Sequence, residues 1–88
     1  MENKDLMFVL KSEIRFYILI NIKNKNKTPT ELTKNNKYHI THISYNLKKL
    51  EEKEYIKCVN PNNRKNKQFS ITAKGREALK QINILTEV

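Results

Sequence analysis

Between Thr28 and Ile56 the apolar positions take on a helical rhythm. Ile40, Ile43, Leu47 and Leu50 recur at three- and four-residue spacing and so form one stripe of a helix from about His39 to Lys53. The opposite side of that helix carries Thr41, His42, Ser44, Tyr45, Lys48 and Lys49, which are short hydrogen-bonding groups, an aromatic and cations. Upstream, Ser12 supplies an N-cap for a helix reaching about Asn24, with Glu13 in its first turn. Ile14, Tyr17 and Ile18, with Leu19 and Ile22, are expected to face the core, and the polar run NIKNKNK ends that helix in a loop. Residues 1–11 form a short helix or extended arm anchored by Leu6, Met7, Phe8, Val9 and Leu10.

Thr28-Pro29-Thr30-Glu31 is the clearest start signal in the chain. Thr28 caps, Pro29 takes the first helical position, and Glu31 reaches back to complete a capping box. This short helix should end near Asn35 or Asn36, with Tyr38 filling the turn before the longer helix. Downstream, Tyr55–Val59 and Gln68–Thr72 are β-prone runs separated by the turn-forming NPNNRKNK, which predicts a hairpin with a long basic tip. Thr72 then caps a last helix from Ala73 to about Leu85, with Leu79, Ile82 and Leu85 inward. The expected fold is mostly α with a small β-hairpin, in the order α-α-α-β-β-α, as one domain over residues 1–88. Within it the helix-turn-helix occupies 28–53, the hairpin 55–72 and the C-terminal helix 73–88.

Composition narrows the function. An 88-residue chain buries too small a core for a deep substrate cavity and a catalytic shell, and no paired carboxylates, nucleophile–base set or phosphate loop stands out. An enzyme is not expected. No apolar run approaches the roughly 20 residues of a membrane helix, and the N-terminus carries acids, so a cytoplasmic protein is expected. The single cysteine, Cys58, excludes an internal disulfide and reads as a small buried hydrophobe. His39 and His42 lack a third ligand nearby, so no metal or other cofactor is expected.

The formal charge of +9 matters because of where it falls. Between Ile14 and Leu50 the sole acid is Glu31, against Arg15, Lys23, Lys25, Lys27, Lys34, Lys37, Lys48 and Lys49. No acid occurs from Tyr55 through Arg76, while Lys57, Arg64, Lys65, Lys67, Lys74 and Arg76 do. Separated signs of this kind suit a face aimed at a polyanion. A helix with one anchoring side and one polar, cationic side suits a DNA major groove. Gly75, the only glycine, lies in a helix's first turn, where close backbone packing is the expected reason for it.

The phrase ISYNLKKLEEKEYI resembles the recognition helix of MarR-like and related bacterial and archaeal regulators, and NPNNRKNKQFSITAKGREAL resembles the wing that follows it there. The resemblance as a whole covers about residues 12 to 80. The resemblance implies a winged helix-turn-helix transcriptional regulator that binds specific double-stranded DNA as a homodimer. It places Thr41, His42, Ser44, Tyr45 and Lys48 on the helix entering the major groove. Arg64 and Lys65, with Lys67 beside them, fall at a wing on the phosphates or minor groove. Glu54 stands where the family usually has Gly, which implies that this helix ends differently or runs longer. Asn63 and Lys65 replace a frequent Asp and Arg, which implies a mobile wing that contributes charge. The chain lacks the long terminal helices of an effector cleft, so no small-molecule effector is expected. The apolar segments Leu6–Leu10 and Ile82–Val88 are the expected dimer contacts. The alternative is a winged-helix module that docks a protein partner in a larger assembly.

Overall fold

In the computed structural model, residues 3–34 and 37–86 are described, with the backbone alone for 3–6 and 83–86. The order is α1 (Asn3–Leu10), α2 (Glu13–Ile22), α3 (Pro29–Thr33), α4 (Ile40–Glu52), β1 (Ile56–Cys58), β2 (Phe69–Ile71) and α5 (Ala73–Thr86). The expected mostly α fold with one antiparallel hairpin is therefore the observed one, with β1 and β2 paired Ile56 to Ile71 and Cys58 to Phe69. The strands are one residue shorter at each end than their β-prone runs, although backbone hydrogen bonds continue there from the Val59 amide to the Gln68 carbonyl and from the Thr72 amide to the Tyr55 carbonyl. The side chains of Leu6 and Leu85 and the turn at Asn35 and Asn36 lie outside the described residues.

The starts of α2, α3 and α4 are each set by a side chain. Ser12 Oγ accepts from the Arg15 amide at 3.3 Å. Thr28 Oγ1 accepts from the Glu31 amide at 3.2 Å, while the Thr28 amide donates to Glu31 Oε1 at 2.9 Å, so the capping box is complete. That backbone donor holds the Glu31 carboxyl below its ordinary pKa. At α4 the cap is His39, whose Nδ1 accepts from the Thr41 amide at 3.2 Å.

The core lies between α2, α4 and α5 and is closed by the inner faces of β1 and β2. Ile18, Leu19, Ile43, Leu47, Leu50, Tyr55, Ile56 and Ala78 are at most 2% exposed within it. α1 packs across α2 and α5, and Val9 is its buried anchor. Tyr38 fills the turn before α4 by tilting onto Tyr17, with ring centroids 5.1 Å apart, and the Tyr17 hydroxyl donates to the Leu32 carbonyl at 2.7 Å. Partial burial, and after it the Glu13 carboxylate, raises the Tyr38 pKa and keeps its hydroxyl protonated. Among the described residues no helix is long and apolar enough to cross a membrane.

Several expectations need correction. Ile40 does not join the buried stripe; it is 40% exposed, and Asn46 is buried in its place. The helix begins at Ile40, so its first turn projects past the core, and the inward face runs through Ile43, Asn46, Leu47 and Leu50. Asn46 is tolerated there because its amide is satisfied. Its Oδ1 accepts from Arg15 Nε at 3.2 Å and its Nδ2 donates to the His42 carbonyl at 2.9 Å. Arg15, counted above with the basic face, is thus an internal tie. Its Nη1 donates to the Phe8 carbonyl at 2.7 Å, and its guanidinium sits 4.0 Å from the centroid of the Phe8 ring. The run NIKNKNK is not wholly loop, since Lys27 pairs with Phe69 through two backbone hydrogen bonds and adds a bridge on the free edge of β2. Cys58 is half-buried, its thiol 3.6 Å from Asn60 Oδ1.

The recognition-type helix also ends where a glycine would end it, rather than running on. Glu54 itself takes the left-handed conformation, with φ 65°. Its amide donates to the Glu51 carbonyl at 2.9 Å, and the Tyr55 amide donates to the Leu50 carbonyl at 3.0 Å. These two bonds are a Schellman motif, and the buried pair Tyr55 and Leu50 supplies its usual apolar contact. Packing of Tyr55 overrides the local cost of a side chain at positive φ.

Gly75 has the expected cause. A Cβ there would lie 2.3 Å from the Tyr55 carbonyl oxygen and 2.7 Å from Ile71 Cγ1. Gly75→Ala should therefore destabilise the fold by about 1–3 kcal/mol, although alanine is favoured in a helix interior by about 1 kcal/mol. Glu54→Gly should act in the opposite direction, by about 0.5–1 kcal/mol, because it relieves the left-handed strain. Urea denaturation of both variants checks the pair; a Gly75→Ala variant as stable as the parent would contradict the packing account.

Candidate nucleic-acid interface

The face of α4 turned from the core carries Thr41, His42, Ser44, Tyr45 and Lys48, all exposed. Tyr45 is the most prominent, at 58% exposure. Lys49 is half-buried and places its Nζ 5.4 Å from the centroid of the Tyr45 ring, a contact that turns both groups along the helix surface. A helix of 13 residues is about 20 Å long, and a B-DNA major groove about 12 Å wide admits it. The acids Glu51, Glu52 and Glu54 stand at the far end of α4, and Lys48 and Lys49 precede them. A polyanion is therefore favoured along the first turns of the helix and repelled from its last one.

The capping contact defines what the first turn can offer. His39 Nδ1 accepts from the Thr41 amide at 3.2 Å, and the Thr41 hydroxyl lies 3.1 Å from the same nitrogen. Thr41 thus keeps its γ-methyl and an acceptor oxygen for other partners. The amides nearest the helix start remain a positive end.

Arg64, Lys65 and Lys67 lie on the wing, where residues 61–68 are all exposed. The structure thus gathers the helix residues on one face and the three wing cations on a second element, with β1 leading from one to the other. Sequence reasoning missed what shapes the wing, which is Asn60. Its Oδ1 accepts from the Gln68 amide at 2.8 Å, its Nδ2 donates to the Asn66 carbonyl at 3.1 Å, and its own carbonyl accepts from the Asn63 amide at 3.1 Å. Asn66 adopts φ 57°, a left-handed turn that asparagine tolerates. These bonds cross the base of the tip and stand in for the ion pair that Asn63 and Lys65 cannot form. The signal was present in the NPNN run, since asparagine side chains commonly replace a backbone turn hydrogen bond.

Other cations are committed elsewhere. Lys74 Nζ donates to the Lys53 carbonyl at 2.9 Å and lies 4.9 Å from the Tyr55 ring centroid. Lys53 lies over Phe8 at 5.3 Å. Lys37 and Glu13 form an exposed pair at 3.5 Å, which adds little to stability. Among the described residues no group of three or more His, Cys, Asp or Glu is placed to hold a metal ion.

The architecture has close counterparts among solved structures. A protein described as a transcriptional regulator of the MarR family from Enterococcus faecalis V583 superposes with a TM-score of 0.82 at 10% identity, covering 99% of this chain and 84% of that one. A protein described as an ArsR family transcriptional regulator superposes with a TM-score of 0.70 at 16% identity, covering 98% of this chain and 93% of that one. At these identities the likeness is one of fold. No curated protein matches the sequence. Residues 12–75, from the cap of α2 through the wing to Gly75, match the model of the winged helix DNA-binding domain, and the chain belongs to that family.

Proposed function

We propose that this protein is a transcriptional regulator that binds specific sequences in double-stranded DNA. In this reading α4 lies in the major groove and the wing lies against the phosphates or minor groove. The observation that carries it is the exposed face from Thr41 to Lys48, set beside a wing whose exposed cations meet no acid within the hairpin. Thr41, His42, Ser44 and Tyr45 are the candidate base contacts, because short polar groups and an aromatic can reach base edges. Lys48, Arg64, Lys65 and Lys67 are the candidate phosphate contacts, which set register and supply much of the affinity. The proposed place of action is the cytoplasm, with the DNA.

We further propose a homodimer. Met7 and Leu10 on α1 are 45% and 44% exposed, and Ile20 on α2 is 47% exposed, which supports an apolar contact at the N-terminal side. On the C-terminal side Ile82 is committed to the core, and the side chains beyond it lie outside the described residues.

Affinity for a duplex should fall steeply with salt, with a slope of about −0.9 for each phosphate neutralised. Arg64→Ala combined with Lys65→Ala should make that slope shallower by about 2 and weaken binding to all sequences alike. Fluorescence anisotropy at several salt concentrations measures both, and a salt-independent affinity would sink the DNA reading. Replacing Ser44 or Tyr45 by Ala should instead alter the base preferred at individual positions in a selection from random duplexes. An unchanged preference would remove those residues from the base-reading set. Sedimentation equilibrium tests the dimer, which a monomer at high micromolar concentration would exclude.

A further inference from the structure

We infer that the first turn of α4 reads thymine by its methyl group, through Ile40 and the γ-methyl of Thr41. The inference rests on the proposed placement of α4 in the major groove and names the base chemistry recognised there. A lone exposed isoleucine is ordinary on a protein surface and carries no weight by itself. Here it occupies the first helical position of the recognition-type helix, the end from which such helices contact base edges. Its neighbour Thr41 is exposed as well, its hydroxyl 3.1 Å from His39 Nδ1. Two adjacent exposed side chains at this end therefore present methyl groups. Ser44, one turn beyond Ile40, is the nearest exposed hydroxyl on the same side of the helix.

Among the base edges in the major groove, only thymine offers a methyl group, and apolar side chains are its complement. Cytosine opposite Ile40 would set its amino donor against a side chain that has no acceptor. Asn46, whose amide could have read adenine from this helix, is buried and bonded to Arg15 and the His42 carbonyl. With Asn46 turned inward and Ile40 turned outward, this part of the helix offers an apolar group and not an amide.

The test replaces each thymine of a selected duplex, one at a time, with deoxyuridine, which deletes the methyl and keeps every hydrogen-bonding group. Affinity should fall about three- to tenfold at one or two positions, the scale of burying one or two methyl groups. Ile40→Ala should bind the thymine and uracil duplexes equally at the position it reads, and a cooperative melting transition checks that the variant is folded. Ile40→Val should keep most of the discrimination. Sequence-selective binding with no thymine sensitive to methyl loss, or a selected site without A·T pairs near the α4 contact, overturns the inference and leaves the DNA reading standing. Full thymine discrimination by Ile40→Ala overturns it too. Failure to bind any duplex overturns both.

Discussion

The backbone at Glu54 and Tyr55 is the joint on which the arrangement of α4, the wing and α5 depends. The Tyr55 amide closes the end of α4 on the Leu50 carbonyl. The Tyr55 carbonyl accepts from the Thr72 amide at 3.0 Å, and the Thr72 hydroxyl lies 2.9 Å from it and 2.7 Å from the Glu54 carbonyl. That same hydroxyl accepts from the Gly75 amide at 3.1 Å and so caps α5. A helix end, the first and last residues of the hairpin and the start of another helix thus share one peptide. The Tyr55 ring, fully buried, stacks on Phe8 with centroids 5.9 Å apart and ties α1 to the same point. Each of these backbone pairings also sets the direction of an element.

This joint explains why the local rules bend around it. Glu54 accepts a left-handed conformation, and position 75 excludes even a methyl group, because the Tyr55 carbonyl occupies the space. Both departures cost local stability, which burial of Tyr55, Leu50 and Ile71 offsets. The turn that leads from α4 into the hairpin is hydrogen-bonded on both sides, to Leu50 and to Thr72.

Charge is sorted by the same packing. A net +9 suggests a uniformly basic surface, yet Arg15 is spent internally, joining α2 to α1 through Phe8 and to α4 through Asn46. Arginine suits this task, since its planar fork donates to two partners while its face covers an aromatic ring. Lys53 and Lys74 are likewise turned toward the Phe8 and Tyr55 rings. Among the described residues, Lys48 on α4 and Arg64, Lys65 and Lys67 on the wing stay exposed, and the acids of residues 51–54 stand at the far end of α4.

The element order, the capping box at Thr28, the inward stripe from Ile43 and the basic tip of the hairpin were all legible in the chain. They depend on spacing and on contacts between near neighbours, which sequence records directly. Less legible were the roles of Ile40, Asn46, Arg15 and Asn60. Periodicity assigned Ile40 to the core, but the first turn of α4 lies beyond the elements that would cover it. Asn46 could be buried only once Arg15, 31 residues away along the chain, was brought to its amide oxygen. The residue types at Glu54 and Gly75 pointed to a departure and a constraint. Only the packing of Tyr55 decided that the helix would still stop at Glu54, and only its carbonyl beside position 75 that glycine was required. Local pattern by itself determined the elements and the sign of the surface. Which side chains remain outside to meet a ligand was decided by tertiary packing, because burial and hydrogen bonding are settled between segments far apart in sequence.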